Sequence, residues 1–401
     1  MRDESPQELQ RRTTVQASLR EHLSSHGYQA IDTPLLEPTE LFLRKSGGEL
    51  ATRMYTFTDP GGNKVSLRPE FTSSAIRYYL ERAGAESLPL RLQYSGPVFR
   101  YDEAQGYKQF HQMGAEIIGG ATPESDVEVL ALAWEGLSLM RPPLLTCVVG
   151  HVGVLHLMLE EMGLSHRAQI FLIASLPRLK QDPEESQRVQ EQAHSLGLMK
   201  SGENAGGSRP LVDDMEEGEA IALLQDLFHD SLSGLLGSRS MEEILTRFIQ
   251  KLQRGDDPKK VERGISLFSR LASVKGEKEQ ALPQIRTILQ EYGISPTVLT
   301  PLENVLAGFH QRCPSASLTV DIGLVRGIAY YTGMVFEILA PGPECPLILC
   351  GGGRYDGLVK ALGGEEDVPT LGFAYTLETL LDLLPEKLEE RHLTSSNPQR
   401  R

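Results

Sequence analysis

Apolar and polar positions alternate along this chain with two different periods, and the switch between them divides it into regions. Val15, Leu19 and Leu23 recur at four-residue spacing, which predicts a helix from about Pro6 to His26 that stops at Gly27. "YQAIDTPLLEP" reads as a short strand between Pro34 and Pro38. In "MYTFTDPGGNKVSLRPE", Tyr55 and Phe57 alternate with polar residues, Asp59 to Asn63 turn, and Val65 and Leu67 return, which predicts a hairpin. "LPLRLQYSGPVFRYDEAQGYKQFHQMGAEIIGG" predicts two strands joined by a polar loop from Asp102 to Lys108. A helix after Ser125 places Val127, Leu130, Trp134 and Leu137 on one face.

From about Leu176 to Pro314 the strand period disappears. Met241, Ile244, Leu245, Phe248, Ile249 and Leu252 predict one amphipathic helix, Ile221, Leu224, Phe228 and Leu232 a second, and Leu302, Val305, Leu306 and Phe309 a third. The polar, glycine-rich "KSGENAGGSRP" reads as a mobile connection. Strand texture returns in "SLTVDIGLV", "YYTGMVFEIL" and "PLILCGGG", and a last helix spans Leu377 to Leu384 before a polar tail expected to be disordered. The pattern implies a mixed sheet contributed by 1–175 and 315–385, a helical insertion at 176–314, and a tail at 386–401.

Composition narrows the class. A chain of 401 residues with 40% hydrophobic and 23% charged content is an ordinary globular protein with room for two or more domains. No apolar run is long enough for a bilayer, and the polar start "MRDESPQELQRRTT" lacks a secretory segment, so a cytoplasmic protein without a membrane partner is expected. The net charge of -14 argues against broad nucleic-acid binding. Cys147, Cys313, Cys345 and Cys350 form no Cys-x-x-Cys pair, so buried thiols are expected rather than a metal site.

Four clusters set charged or amide groups beside apolar strands: "RPEFT", "FRYDEAQGYKQFHQMGAE", "LVRGIAYYTGMVFE" and "GGGRYDGL". Buried charge is costly unless paired or used, so these clusters mark a candidate polar pocket. Glu70, Gln112 and Glu116 together suit an ammonium group, and the four-residue spacing of Gln112 and Glu116 puts both on one side of a strand. Arg100 and Arg326 suit a carboxylate or a phosphate. The plainer alternatives are surface ion pairs for the arginines, a hydrogen-bonded structural role for His111, and core or rim positions for Tyr330 and Tyr331.

In their order these segments resemble the class II histidyl-tRNA synthetase core over about 1–160 and 315–385. "TPLLEPTELFLRKSGGE" resembles the first class motif, with Pro34 at the family's dimer interface. "FRYDEAQGYKQFHQMGAEIIGG" resembles the second, "GFAYTLETLL" the third, and "LVRGIAYYTG" and "GGGRYDGL" the two histidine signatures. The resemblance implies an α+β fold with an antiparallel six-stranded sheet flanked by helices and a helical insertion. It places Glu70, Thr72, Gln112 and Glu116 around a bound histidine's amino group, Tyr330, Tyr331 and Tyr355 on the imidazole side, and Arg326 toward the carboxylate. Arg100 matches the arginine that holds the α-phosphate.

Four departures bear on function. Thr379 stands where synthetases carry the ATP-gripping arginine of the third motif, and the second-motif loop is short and acidic. Ala329 replaces a usual aspartate, and little sequence follows the last helix where an anticodon-binding domain is expected. The set is similar to the regulatory subunit family of ATP phosphoribosyltransferase, as is "VVGHVGVLHLMLEEMGLS". That resemblance implies a non-catalytic subunit of histidine biosynthesis without cofactor or metal. It would pair with a short-form catalytic subunit, self-associate through the synthetase-like interface, bind L-histidine as feedback effector and have no nucleic-acid partner. The alternatives are a synthetase-like enzyme activating histidine or another amino acid, and a module sensing uncharged tRNA.

Overall fold

The computed structural model describes residues 3–44, 48–82, 87–101, 108–182, 184–200, 255–325 and 331–385. In chain order the elements are α1 (Pro6–Ser25), β1 (Gln29–Ala30), β2 (Leu36–Pro38), α2 (Thr39–Leu43), α3 (Gly48–Arg53), β3 (Thr56–Thr58), β4 (Lys64–Leu67), α4 (Thr72–Leu80), β5 (Leu90–Phe99), β6 (Gln109–Ile118), α5 (Pro123–Leu139), β7 (Thr146–His151) and α6 (Val152–Glu161). They continue with α7 (His166–Gln181), α8 (Glu185–Ser195), α9 (Pro258–Ala272), β8 (Lys275–Glu277), α10 (Lys278–Glu291), α11 (Thr300–Arg312), β9 (Leu318–Asp321), β10 (Met334–Ala340), β11 (Leu347–Arg354), α12 (Leu358–Ala361), β12 (Thr370–Thr376) and α13 (Leu377–Leu383).

Local chemistry explains several boundaries. Ser5 Oγ accepts from Glu8 N–H and the Glu8 carboxylate accepts from Ser5 N–H, so α1 begins in a reciprocal cap. Gly27, at φ 83°, takes the left-handed conformation that ends the helix. The expected hairpin is β3 and β4, and the Asp59 carboxylate closes its turn by accepting from Asn63 N–H at 2.8 Å. The expected helix after Ser125 is α5, which buries Leu130, Trp134 and Leu137.

Nine strands make the main sheet, in the order β1-β5-β6-β12-β11-β10-β7-β9-β8. From β5 to β7 every neighbour is antiparallel. The edges are mixed: β1 joins β5 and β9 joins β7 in parallel, and β8 closes on β9 antiparallel. This corrects the expected six-stranded antiparallel sheet. β9 falls in the strand texture of "SLTVDIGLV", whereas β1 and β8 are only 2 and 3 residues long, too short for an alternating pattern to announce them. The single strand expected in "YQAIDTPLLEP" is two: β1 in the main sheet, and β2 in a three-stranded sheet ordered β2-β4-β3.

The chain forms two compact units, one from 1–158 with 271–401 and one from 159–270. In the second, Ser165 caps α7, and its N–H and hydroxyl both donate to the Asp256 carboxylate. Leu172, Leu176, Val189, Val261 and Phe268 make its core. Among the described residues no helix is long and apolar enough to cross a membrane, and no group of three or more His, Cys, Asp or Glu is placed to hold a metal. The sequence-predicted helices at 221–232 and 241–252, the connection at 200–210 and the tail at 386–401 lie outside the described residues, apart from Lys200.

Candidate functional site

A cavity of about 580 Å³ opens on one face of the main sheet where β5, β6, β11 and β12 run side by side. The register explains the space. Gly114 on β6 lies opposite Ala374 on β12, which lies opposite Gly351 on β11, so this row carries no side chain larger than a methyl. On β5 the partner of Gly114 is Tyr94, and a Cβ on residue 114 would meet its hydroxyl at 2.8 Å. The glycine admits the tyrosine.

The Tyr94 hydroxyl donates to Glu116 Oε1 at 2.9 Å, and the Thr72 hydroxyl donates to the same oxygen at 2.7 Å. Glu116 is 1% exposed, and its Oε2 has no hydrogen-bond partner among the described residues. Burial raises the Glu116 carboxyl well above its ordinary range, against the two hydroxyls that favour the anion; the nearby Glu70 charge pushes the same way as burial. Gly372 lies opposite Glu116 on β12, and a side chain there would collide with that free oxygen.

Glu70 is also buried and raised by its burial. Its carboxylate accepts from Ser73 N–H at 3.1 and 3.2 Å, which caps α4 and holds its two oxygens. Arg100 stands just beyond the end of β5, where Nε donates to Pro69 O at 2.7 Å and the guanidinium lies 5.3 Å from the Phe110 ring centroid. Tyr331 meets Tyr355 edge to face, with centroids 6.3 Å apart.

Glu70, Thr72, Arg100, Gln112, Tyr331 and Tyr355, all expected from the sequence, line the cavity, and Glu116 sits beside them through Thr72 and Tyr94. Arg326 and Tyr330 lie outside the described residues, as do Ala329, Asp102 and Glu103. Arg354 is engaged elsewhere. It makes a forked pair with Asp126, Nε to Oδ1 and Nη2 to Oδ2 both at 3.0 Å, and donates to Gly120 O at 2.7 Å. Gly351 and Gly352 line the cavity while the arginine braces α5. His111 takes its structural reading, donating to Glu378. Of the "RPEFT" cluster, Arg68 is 1% exposed and donates through Nη1 to Thr33 O and through Nε to Pro97 O, and it is not part of the cavity lining.

Sequence reasoning missed Tyr94, Phe110, Thr376 and Asp382, which also line the cavity, with the exposed Cys345 at its rim. The available signal was the two-residue period: Tyr94 alternates with the same face of β5 that meets Gly114. The cavity has a direction. Glu116 pairs with Gly372, while Gln112 pairs with Thr376, four residues further along both strands, or about 14 Å at the usual strand rise. Arg100, Thr379 and Asp382 lie at the Gln112 end.

The profile of the histidyl-tRNA synthetase family matches residues 1–197 and 212–380. The chain belongs to that family. A histidine–tRNA ligase of Methanocaldococcus jannaschii is 31% identical over 95% of this chain and 73% of its own length. One from a Synechococcus is 33% identical over 98% of this chain and 75% of its own. Among solved structures, a Bacillus halodurans protein described as an ATP phosphoribosyltransferase regulatory subunit/histidyl-tRNA synthetase superposes with a TM-score of 0.66 at 22% identity, covering 96% of this chain and 82% of that one. At that identity the likeness is one of fold, an α+β class II synthetase-like fold.

The relatives' names overturn the regulatory reading. With it go the expectations of a non-catalytic chain, a role in histidine biosynthesis, feedback by histidine, a short-form phosphoribosyltransferase partner and no nucleic-acid partner. That reading leaned on single departures from the histidyl-tRNA synthetase pattern, above all Thr379. The matched length of this family member outweighs them, and Arg100 is still at the cavity.

Proposed function

We propose that this chain is a histidyl-tRNA synthetase-like enzyme that activates histidine or a closely related amino acid with ATP, with tRNA as the acceptor its relatives' names suggest. The observation that carries the reading is Glu116, a buried carboxyl with one oxygen held by two hydroxyls and the other unpartnered among the described residues beside an open cavity. Such a group is stabilised as an anion when a cationic N–H donor arrives, which histidine supplies from its ammonium or its ring.

In the reaction a carboxylate oxygen of the amino acid attacks the α-phosphorus of ATP. A bond forms between them, the bond to the β,γ-phosphates breaks, and pyrophosphate leaves with its electron pair. The attacking carboxylate is already an anion, so no base is required. Glu70, Gln112 and Glu116 would hold the amino acid's donors, and Tyr331 and Tyr355 would wall its side chain. The strand direction then carries its carboxylate toward Arg100, whose guanidinium is fixed by Pro69 O and Phe110 before substrate arrives. With Thr379 in place of an arginine and Asp382 nearby, a high KM for ATP is expected. The test is histidine-dependent ATP–pyrophosphate exchange by the purified chain. Exchange above background supports activation, and none with histidine or any other standard amino acid would overturn it.

A further inference from the structure

Helix α13 walls the Arg100 end of the cavity, since both Thr379 and Asp382 belong to it and line the space. Leu377 and Leu380 bury one face of this seven-residue helix, and a polar attachment at each end fixes it further. At its start the Glu378 carboxylate accepts from the His111 backbone N–H at 2.8 and 2.9 Å and from His111 Nδ1 at 2.9 Å. A carboxylate only accepts, so Nδ1 carries the proton. At its end Arg11 of α1 donates through Nη2 to Leu381 O and Leu384 O, both at 2.9 Å, which occupies carbonyls a helix terminus leaves open.

The place where Glu378 takes hold of β6 matters. β12 ends at Thr376, opposite Gln112, so the His111 N–H has run out of strand to pair with. Glu378 supplies the missing acceptor. His111 stands between Phe110, which supports Arg100, and Gln112, which lines the cavity. One carboxylate thereby ties the helix carrying Thr379 and Asp382 to the strand that underlies Arg100. Glu116 and Gly372 lie about 14 Å further along the strands, beyond its reach.

We infer that Glu378 and His111 form a latch, a pair of positioning residues that act through Thr379, Asp382 and the Arg100–Phe110 contact to set the ATP end of the cavity and leave the amino-acid end alone. The inference rests on the activation reading above, and the experiment separates the two. In histidine-dependent exchange, Glu378→Ala raises the KM for ATP at least about tenfold, about 1.4 kcal/mol, while the KM for histidine stays within about twofold. Glu378→Gln keeps an acceptor oxygen and restores most of the wild-type value. His111→Asn keeps the backbone donor and falls between, and it serves as the probe should Glu378→Ala fail to fold. A parallel rise in both constants, or no change in either, overturns the latch.

Amide hydrogen exchange reads the latch without activity. The amides of 381–384 exchange about tenfold faster in Glu378→Ala than in wild type, and Glu378→Gln slows them again. Unchanged protection overturns the latch by itself. If wild type exchanges no pyrophosphate, the activation reading falls, and these amides alone decide the latch.

Discussion

At one end of the cavity Glu116 is buried with one oxygen unpartnered among the described residues, and its burial holds the carboxyl well above its ordinary range, with the nearby Glu70 charge acting the same way. At the other end Arg100 is already committed to Pro69 O and the Phe110 ring before anything binds. The first end stores an unmet demand for a cation, which a ligand satisfies. On the proposed reading the second is organised in advance to meet an anion, with Asp382 on the same cavity lining. On the proposed reading, binding strength is expected mainly from the carboxyl end and rate from the arginine end.

The sharpest way to break this division is Glu116→Ala. Calorimetry should show the histidine Kd rise by about 100-fold or more, because a charge-assisted bond in a buried site is lost. The same variant should melt no lower than wild type near neutral pH, since an uncompensated buried carboxyl is removed. A binding loss matched by a fall in Tm would assign Glu116 to the core instead. Next, Arg100→Ala should lower the kcat of pyrophosphate exchange about 100-fold and move the histidine Kd by less than about threefold. A large change in the Kd would merge the two ends into one.

A smaller effect is expected at Gly372. Alanine there sets a methyl against both Glu116 Oε2 and the Ala115 backbone carbonyl, so carboxylate and strand must both shift; histidine binding should weaken about tenfold, with a clear loss of Tm. The mildest effect is on pH. The folded chain keeps the Glu116 proton above the ordinary carboxyl value of 4.5, where the unfolded chain has released it. Stability from this group is therefore full below that value and declines as pH rises through the folded pKa. Bound histidine opposes the decline, so the Tm gain from histidine should grow between about pH 5 and about pH 8, and Glu116→Gln should flatten that trend. A gain that shrinks with pH would contradict the sign.

The long elements of the fold were legible because their periods are sustained. β5 and β6 each run 10 residues, and α1 repeats Val15, Leu19 and Leu23. β1 and β8 at the sheet edges were not legible, because two or three residues cannot display a period. The strand read between Pro34 and Pro38 is β2, and β1 on the other side of Pro34 belongs to the main sheet. At the site, Gln112 and Glu116 were legible as neighbours because one strand carries both. Tyr94 was not, because its meeting with Glu116 depends on the register of β5 against β6 and on the gap that Gly114 leaves. Arg354 was read beside its glycines, but its partner Asp126 comes from a helix 228 residues earlier. Thr379, with the short acidic loop and the other departures, pointed away from catalysis because motif positions were weighed apart from the cavity that Thr379 borders.

Of the four cysteines, Cys147, Cys313 and Cys350 are buried, and only Cys345 is exposed, at the cavity rim. The wild-type chain can therefore take a single thiol-reactive fluorophore at the mouth of its own pocket. Occupancy of the cavity could then be followed optically, in real time and without first engineering a label.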